Sequence, residues 1–169
     1  MKLYLMRHGI AVPFGSPEFA NDADRPLTDD GRKKLASICR GLSHLDPDWK
    51  MILTSPLLRT KQTADIVGEI FEIGHLIQEL PALAPGHTTR QLVGALKGLD
   101  EVDSVLLVGH EPSLSQHLSC FLFGTPKECF EFKKAGVACI EFHDRPEEGE
   151  GMLRWMLSPG QLQRVGKKK

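Results

Sequence analysis

The sequence predicts a three-layer α/β/α fold, with a mostly parallel central sheet of about six strands covered by helices on both faces. Two observations carry this expectation. Short apolar runs of β-character alternate with longer segments of helical periodicity, which is the pattern of βαβ units. The runs are also almost continuously apolar, most clearly in "SVLLVGH" at 104–110, as expected of strands buried on both sides.

In chain order, Lys2–His8 reads as the first strand and stops abruptly at Arg7, His8 and Gly9. The stretch Pro13–Pro26 is polar and longer than an ordinary βα connection, which makes it a candidate functional loop. Thr28 precedes "DDGRKKLASICRGL", where Leu35, Ile38, Cys39 and Leu42 recur at helical spacing, and Thr28 or Asp29 can cap that helix. Met51–Thr54 is the second strand. Ser55-Pro56 then offers a cap residue and a first-turn proline to a helix whose Ala64, Val67, Ile70 and Phe71 share one face. His75–Glu79 is the third strand, "TTRQLVGAL" a short helix, and Ser104–Gly109 the fourth strand. Pro112 opens a helix over "SLSQHLSCFLF". The last strands, Gly136–Phe142 and Met152–Leu157, are joined by the turn "HDRPEEGEG". A single domain is expected over 1–162, and 163–169, which ends in "GKKK", reads as a basic, disordered tail.

A chain of 169 residues suits one domain with a substantial core. Its 21 Lys and Arg against 22 Asp and Glu leave a formal charge of -1, so there is no global pull toward nucleic acid or an acidic membrane. An anion has to be held by a local cluster. Cys39, Cys120, Cys129 and Cys139 form no C-x-x-C pair and read as reduced thiols. No apolar stretch is long enough to span a bilayer, and a cytoplasmic protein is expected.

Ligands of open α/β sheets bind beyond the carboxyl ends of the strands. Arg7 and His8 fall there at the end of the first strand, Arg59 near the start of the helix after the second, and His110 at the end of the fourth. Each has an unremarkable reading alone: a strand end paired with carboxylates, a surface arginine, a hydrogen-bonded core histidine. Together they make a phosphoryl pocket. Arginine matches phosphate oxygens with a planar fork of donors, and a neutral imidazole surrounded by positive charge keeps a nucleophilic lone pair. Arg25 is either a further phosphate contact or a loop cation beside Asp22 and Asp24. Thr28 and Gly31 read as cap and packing residues and Ser55 as an N-cap. The remaining histidines show no metal-ligand spacing.

The strings "LMRHG", "RPLTDDG", "TSPLLRTKQTA" and "VGHEP" occur in the order seen in the histidine phosphatase superfamily, the phosphoglycerate-mutase-like group. The chain resembles above all its small SixA-type branch, an impression strengthened by "MLSPGQL" near the end. The resemblance implies a phosphoglycerate-mutase-like fold and a metal-independent hydrolase without cofactor. His8 would be the nucleophile that takes the phosphoryl group, while Arg7, Arg59 and His110 would bind its oxygens. Gly9 would let the backbone turn beside His8 and leave room for that group. The partner implied is a protein carrying phosphohistidine in signal transduction, and inorganic phosphate or its mimics should also bind. The short interval between Arg59 and His110 leaves little room for the covering helices of larger relatives, so the site should be open.

Relatives that cleave phosphate esters place an acid after the third strand; here that region reads "ELPALAPG", with Ala82 and Leu83 at the expected position. Glu79, Asp22 and Asp24 are the candidate general acids. Phosphohistidine tolerates a weak acid, because imidazole, with a conjugate-acid pKa of about 6.5, leaves more readily than an alkoxide. The alternatives are a phosphatase for small phosphate esters or anhydrides, and a non-catalytic module that binds phosphoproteins.

Overall fold

A computed structural model of the chain describes residues 1–99 and 102–167. Six strands form one sheet: β1 (Lys2–Arg7), β2 (Met51–Thr54), β3 (Ile77–Glu79), β4 (Ser104–Gly109), β5 (Val137–Glu141) and β6 (Met152–Leu157), in the spatial order β3-β2-β4-β1-β5-β6. The pairs β3–β2, β2–β4 and β4–β1 are parallel, and β1–β5 and β5–β6 are antiparallel. Among the described residues five α-helices accompany them: α1 (Asp29–Ser43), α2 (Leu58–Ile70), α3 (Thr89–Leu96), α4 (Ser113–Phe123) and α5 (Pro159–Val165). The phosphoglycerate-mutase-like α/β fold expected from the sequence is the fold observed.

The apolar runs divide by parity, as side chains alternating across a pleated sheet must. Tyr4 and Met6 of β1 and Leu106 and Val108 of β4 join Leu35, Ile38, Leu42, Ala64, Val67 and Leu162 in the core beneath α1, α2 and α5. Leu3, Leu5, Val105 and Leu107 face the other way, against Leu92, Leu96, Leu114, Leu118 and Phe121 of α3 and α4. The chain thus leaves β1 toward one face and β4 toward the other, which opens a crevice between their carboxyl ends.

β1 and β5 are trimmed by a residue at their ends relative to expectation, and three boundaries differ by more. α2 begins at Leu58 rather than beside Ser55-Pro56, and no side chain caps it. Residues Gly74–Leu76 form a 3₁₀ turn, leaving the third strand only three residues. The expected domain end at Leu162 falls inside α5, where Ser158 and Gln161 form a capping box; Lys168 and Lys169 lie outside the described residues. All four cysteines are free, and Cys39, Cys120 and Cys139 are buried. Among the described residues no helix is long and apolar enough to cross a membrane.

The loop after β1 is held by α1. Thr28 donates its backbone N–H to the Ile10 carbonyl at 2.9 Å, and its hydroxyl caps the N–H of Gly31, also at 2.9 Å. Gly31 sits so close that a Cβ there would lie 2.1 Å from the Ile10 carbonyl oxygen. Gly9 is less confined, since a Cβ there would lie 3.3 Å from a Leu27 methyl. Gly31→Ala should therefore push Ile10 away, lower stability by about 1–3 kcal/mol and disturb the neighbouring His8. Urea unfolding measures the first effect; an unchanged midpoint would contradict this account of the loop.

Candidate active site

Strand register assembles the site. Arg7 lies opposite Gly109 and Thr54 opposite Val108, so the residues that follow, His8, Ser55 and His110, emerge at one level. Backbone bonds extend the register past the strand ends, from His8 N–H to the Gly109 carbonyl and from Ser55 N–H to that of Val108, both 3.1 Å. α2 is pinned to this level by Thr63, whose hydroxyl accepts the Gly9 N–H at 3.1 Å and donates to the Arg59 carbonyl at 2.6 Å. Arg59 is thereby set beside His8.

The result is a cavity of about 410 Å³ lined by Arg7, His8, Asp22, Arg25, Arg59 and His110, together with Glu111, Lys134, Pro85 and loop residues Pro13 and Phe14. Phe14, at its rim, is 80% exposed, in keeping with an open mouth. His8, Arg59 and His110 are buried.

His8 Nδ1 lies 2.7 Å from the Gly9 carbonyl. Since a carbonyl only accepts, Nδ1 carries the proton and the neutral ring keeps its lone pair on Nε2. Burial, with the positive field of Arg59 and Arg7 and the neighbouring His110, lowers the His8 pKa to about 3 against the opposing pull of the Gly9 carbonyl. His110 sits 5.4 Å away, ring centre to ring centre, and its Nε2 is 2.8 Å from the Ser55 hydroxyl. Its pKa is lowered to about 4, by burial first and then by Arg59. Ser55 is therefore the residue that orients His110 rather than the cap of α2.

The arginines are fixed by partners on one side and left unsatisfied on the other. Arg7 donates to the Phe132 carbonyl at 2.6 Å, and Arg59 donates to the backbone carbonyl and carboxylate of Asp22 at 2.7 and 2.8 Å. Arg25 grips the other carboxylate oxygen of Asp22 through Nε and Nη2. Arg7 Nε, Arg59 Nε and His110 Nδ1 are buried without a hydrogen-bond partner among the described residues. Buried polar atoms are seldom left so, and all three belong to residues that line one cavity.

The chain's first half matches the family model of the histidine phosphatase superfamily (branch 1) over residues 3–84. An uncharacterized protein of Picosynechococcus sp. is 35% identical over 139 residues, which are 81% of this chain and 82% of that one. The phosphohistidine phosphatase SixA of Escherichia coli is 28% identical, with 96% of each chain covered. A solved structure of the protein histidine phosphatase SixA complexed with tungstate superimposes with a TM-score of 0.81 over 96% of this chain and 99% of that one, at 28% identity. The chain belongs to the histidine phosphatase superfamily. Within the family it falls with the SixA-type branch.

The candidate acids fare differently from the basic residues. Glu79 lies outside the cavity, its carboxylate 2.6 Å from Lys61 Nζ. Asp24 does not line the cavity either and accepts from Asn21 at 3.1 Å. Asp22 does line it. Burial pushes its carboxyl up, but the hydrogen bonds from Arg25 and Arg59 outweigh that and hold it below its ordinary value, so it is a clamp for two arginines and a poor proton donor. After the third strand the chain brings Pro85, not an acid, to the cavity. Three residues escaped the sequence reading: Thr63, Lys134 and Glu111. Glu111 accepts from Phe132 N–H at 2.5 Å and from the Ser115 hydroxyl at 2.7 Å, so it holds the segment whose carbonyl receives Arg7. "VGHEP" contains Glu111, but nothing local announces a partner 21 residues away.

His8, His110 and the distant His117, whose pKa burial likewise lowers to about 4, all stay neutral in the fold below the ordinary value of about 6.5. Above that value they are neutral in both states. As pH falls below it, the unfolded chain takes up protons that the fold refuses, and stability declines toward the folded values. The loss is up to about 1.4 kcal/mol per pH unit for each ring. Urea midpoints should be lower at pH 5.5 than at pH 7.5, and His117→Gln should remove about a third of the drop; equal midpoints would refute the buried neutral rings.

Proposed function

We propose that the protein is a phosphohistidine phosphatase, which takes the phosphoryl group from a phosphorylated histidine of a partner protein onto Nε2 of His8 and passes it to water. The family and the likeness to SixA make phosphatase chemistry the activity of the chain. One observation carries the finer reading: His8, tied through Nδ1 to the Gly9 carbonyl, has its lone pair on Nε2 in a cavity rimmed by Arg7, Arg25 and Arg59.

In the first step the substrate imidazole takes a proton from solvent on its free nitrogen, Nε2 attacks phosphorus, and the P–N bond breaks to release neutral imidazole. The arginines offset the charge on the three equatorial oxygens. His110, held by Ser55 through Nε2, retains Nδ1 for the phosphoryl group. In the second step water attacks phospho-His8 and the P–N bond breaks, releasing inorganic phosphate and one proton to solvent while Nδ1 keeps its own, which regenerates the neutral ring.

Leaving-group chemistry supports phosphohistidine over esters. Asp22 is committed to two arginines and Glu79 to Lys61, while the oxygens of Glu111 are engaged by Phe132 and Ser115. An alkoxide would leave without a poised carboxylic acid, whereas an imidazole needs far less help.

Incubation with a phosphohistidine protein should give an acid-labile, alkali-stable phosphoenzyme that is absent in His8→Ala, with turnover reduced by several orders of magnitude. A phosphoserine peptide should be cleaved about a hundredfold or more slowly. Unchanged turnover in His8→Ala would end the mechanism, and equal rates on both substrates would shift the assignment to phosphate esters.

A further inference from the structure

Lys134 reaches the cavity from a segment that none of the sequence motifs includes. Its backbone belongs to a tight turn before β5, in which Gly136 N–H donates to the Lys133 carbonyl at 2.7 Å. The next residue, Ala135, adopts φ 63°, a left-handed conformation that costs a non-glycine residue of order 1–3 kcal/mol and persists only where the surroundings over-determine it. Here they do. The Ala135 N–H donates to the carbonyls of Arg7 and His8 at 3.0 and 3.2 Å, while Phe132 is held by Glu111 on one side and by Arg7 on the other. The turn that carries Lys134 is thus bonded to the two residues at the centre of the site.

The charges around the cavity do not balance within the protein. Four permanent or near-permanent cations, Arg7, Arg25, Arg59 and Lys134, face two carboxylates, Asp22 and Glu111. Both carboxylates are occupied, Asp22 by Arg25 and Arg59 and Glu111 by Ser115 and the Phe132 N–H. Lys134 makes neither an ion pair nor a hydrogen bond among the described residues. Burial, and repulsion by Arg7, Arg25 and Arg59, hold its ammonium below its ordinary basicity. A half-buried cation among three guanidiniums is unfavourable in the free protein and becomes favourable when an anion enters. With His8 and His110 neutral, the excess of two positive charges equals the charge of a phosphoryl dianion.

We propose that Lys134 is a fourth cationic contact for the phosphoryl group, binding its oxygens from the β5 side of the cavity. The proposal rests on the reading of this cavity as the phosphoryl site. The division of labour follows from the side chains. The guanidiniums of Arg7, Arg25 and Arg59 are each anchored to a carbonyl or carboxylate, whereas an ammonium on a flexible, unanchored stem can follow the phosphoryl group as it passes from the substrate to His8.

The test is calorimetric titration of tungstate, a phosphate-shaped dianion, into the wild-type protein and into Lys134→Met, Lys134→Arg and Arg59→Ala at one pH, alongside steady-state kinetics and thermal melts. Lys134→Met should melt like the wild type, bind tungstate about ten- to a hundredfold more weakly and lose kcat/KM to a similar degree, while Lys134→Arg recovers most of both. If Lys134→Met binds as the wild type does while Arg59→Ala does not, Lys134 touches no phosphoryl oxygen and the cavity keeps its assignment. If the wild type fails to bind, or Arg59→Ala binds equally well, the cavity reading itself fails and this proposal with it.

Discussion

Everything at the site follows from the register in which β1 pairs with β4. Arg7 stands opposite Gly109, and because His8 and His110 each come one residue later, their rings meet across the crevice instead of one facing a core and the other solvent. A slip by one residue would reverse the side-chain parity of β1. Leu3 and Leu5 would then trade cores with Tyr4 and Met6, between two fully packed layers. The core's demand for the correct parity is therefore also what aligns the histidines, and no separate device is needed to hold the strand ends level.

Upon that alignment the site adds a set of short tethers, and each one fixes a protonation state or a direction. The Gly9 carbonyl selects the tautomer of His8, the Ser55 hydroxyl orients His110, Asp22 spans Arg25 and Arg59, and Thr63 joins the start of α2 to the turn after His8. Burial keeps both rings neutral, while arginine, too basic to lose its proton, stays charged under the same burial. Opposite electrostatic roles thus arise side by side from one environment, through the difference in intrinsic basicity of the two residue types.

What was legible in the sequence was whatever a local pattern encodes. β2, β4 and β6 have the bounds that their apolar runs suggested, and α3 covers all but the first residue of the short helix expected over "TTRQLVGAL". The four basic residues were recognisable because they sit at the ends of such elements. The shortcomings share a physical cause. Glu79 is near the expected acid in sequence, but a three-residue edge strand carries it toward Lys61. α5 has only seven residues and a single buried side chain, Leu162, too short for periodicity to register. Thr63 and Glu111 reach the site through bonds to Gly9 and Phe132, 54 and 21 residues away, and the segment of Lys134 meets it through the Ala135 N–H and the carbonyls of Arg7 and His8; no short window of sequence contains both ends of such a bond.

Local strain and charge imbalance are concentrated where the fold can bear them. Around His8 lie an excess of cations, buried neutral imidazoles, three buried nitrogens without a partner among the described residues and a left-handed alanine. Each is unfavourable on its own, and a small sheet covered on one face would have little to set against them. Here β1 and β4 are buried on both faces between two apolar cores, and every backbone segment bearing a destabilised group is bonded to one of those two strands or to the helix beside them. The two-sided core thus does more than specify the fold. It holds unfavourable groups in a geometry that water would otherwise relax, which is the condition that the proposed phosphoryl site requires of its scaffold.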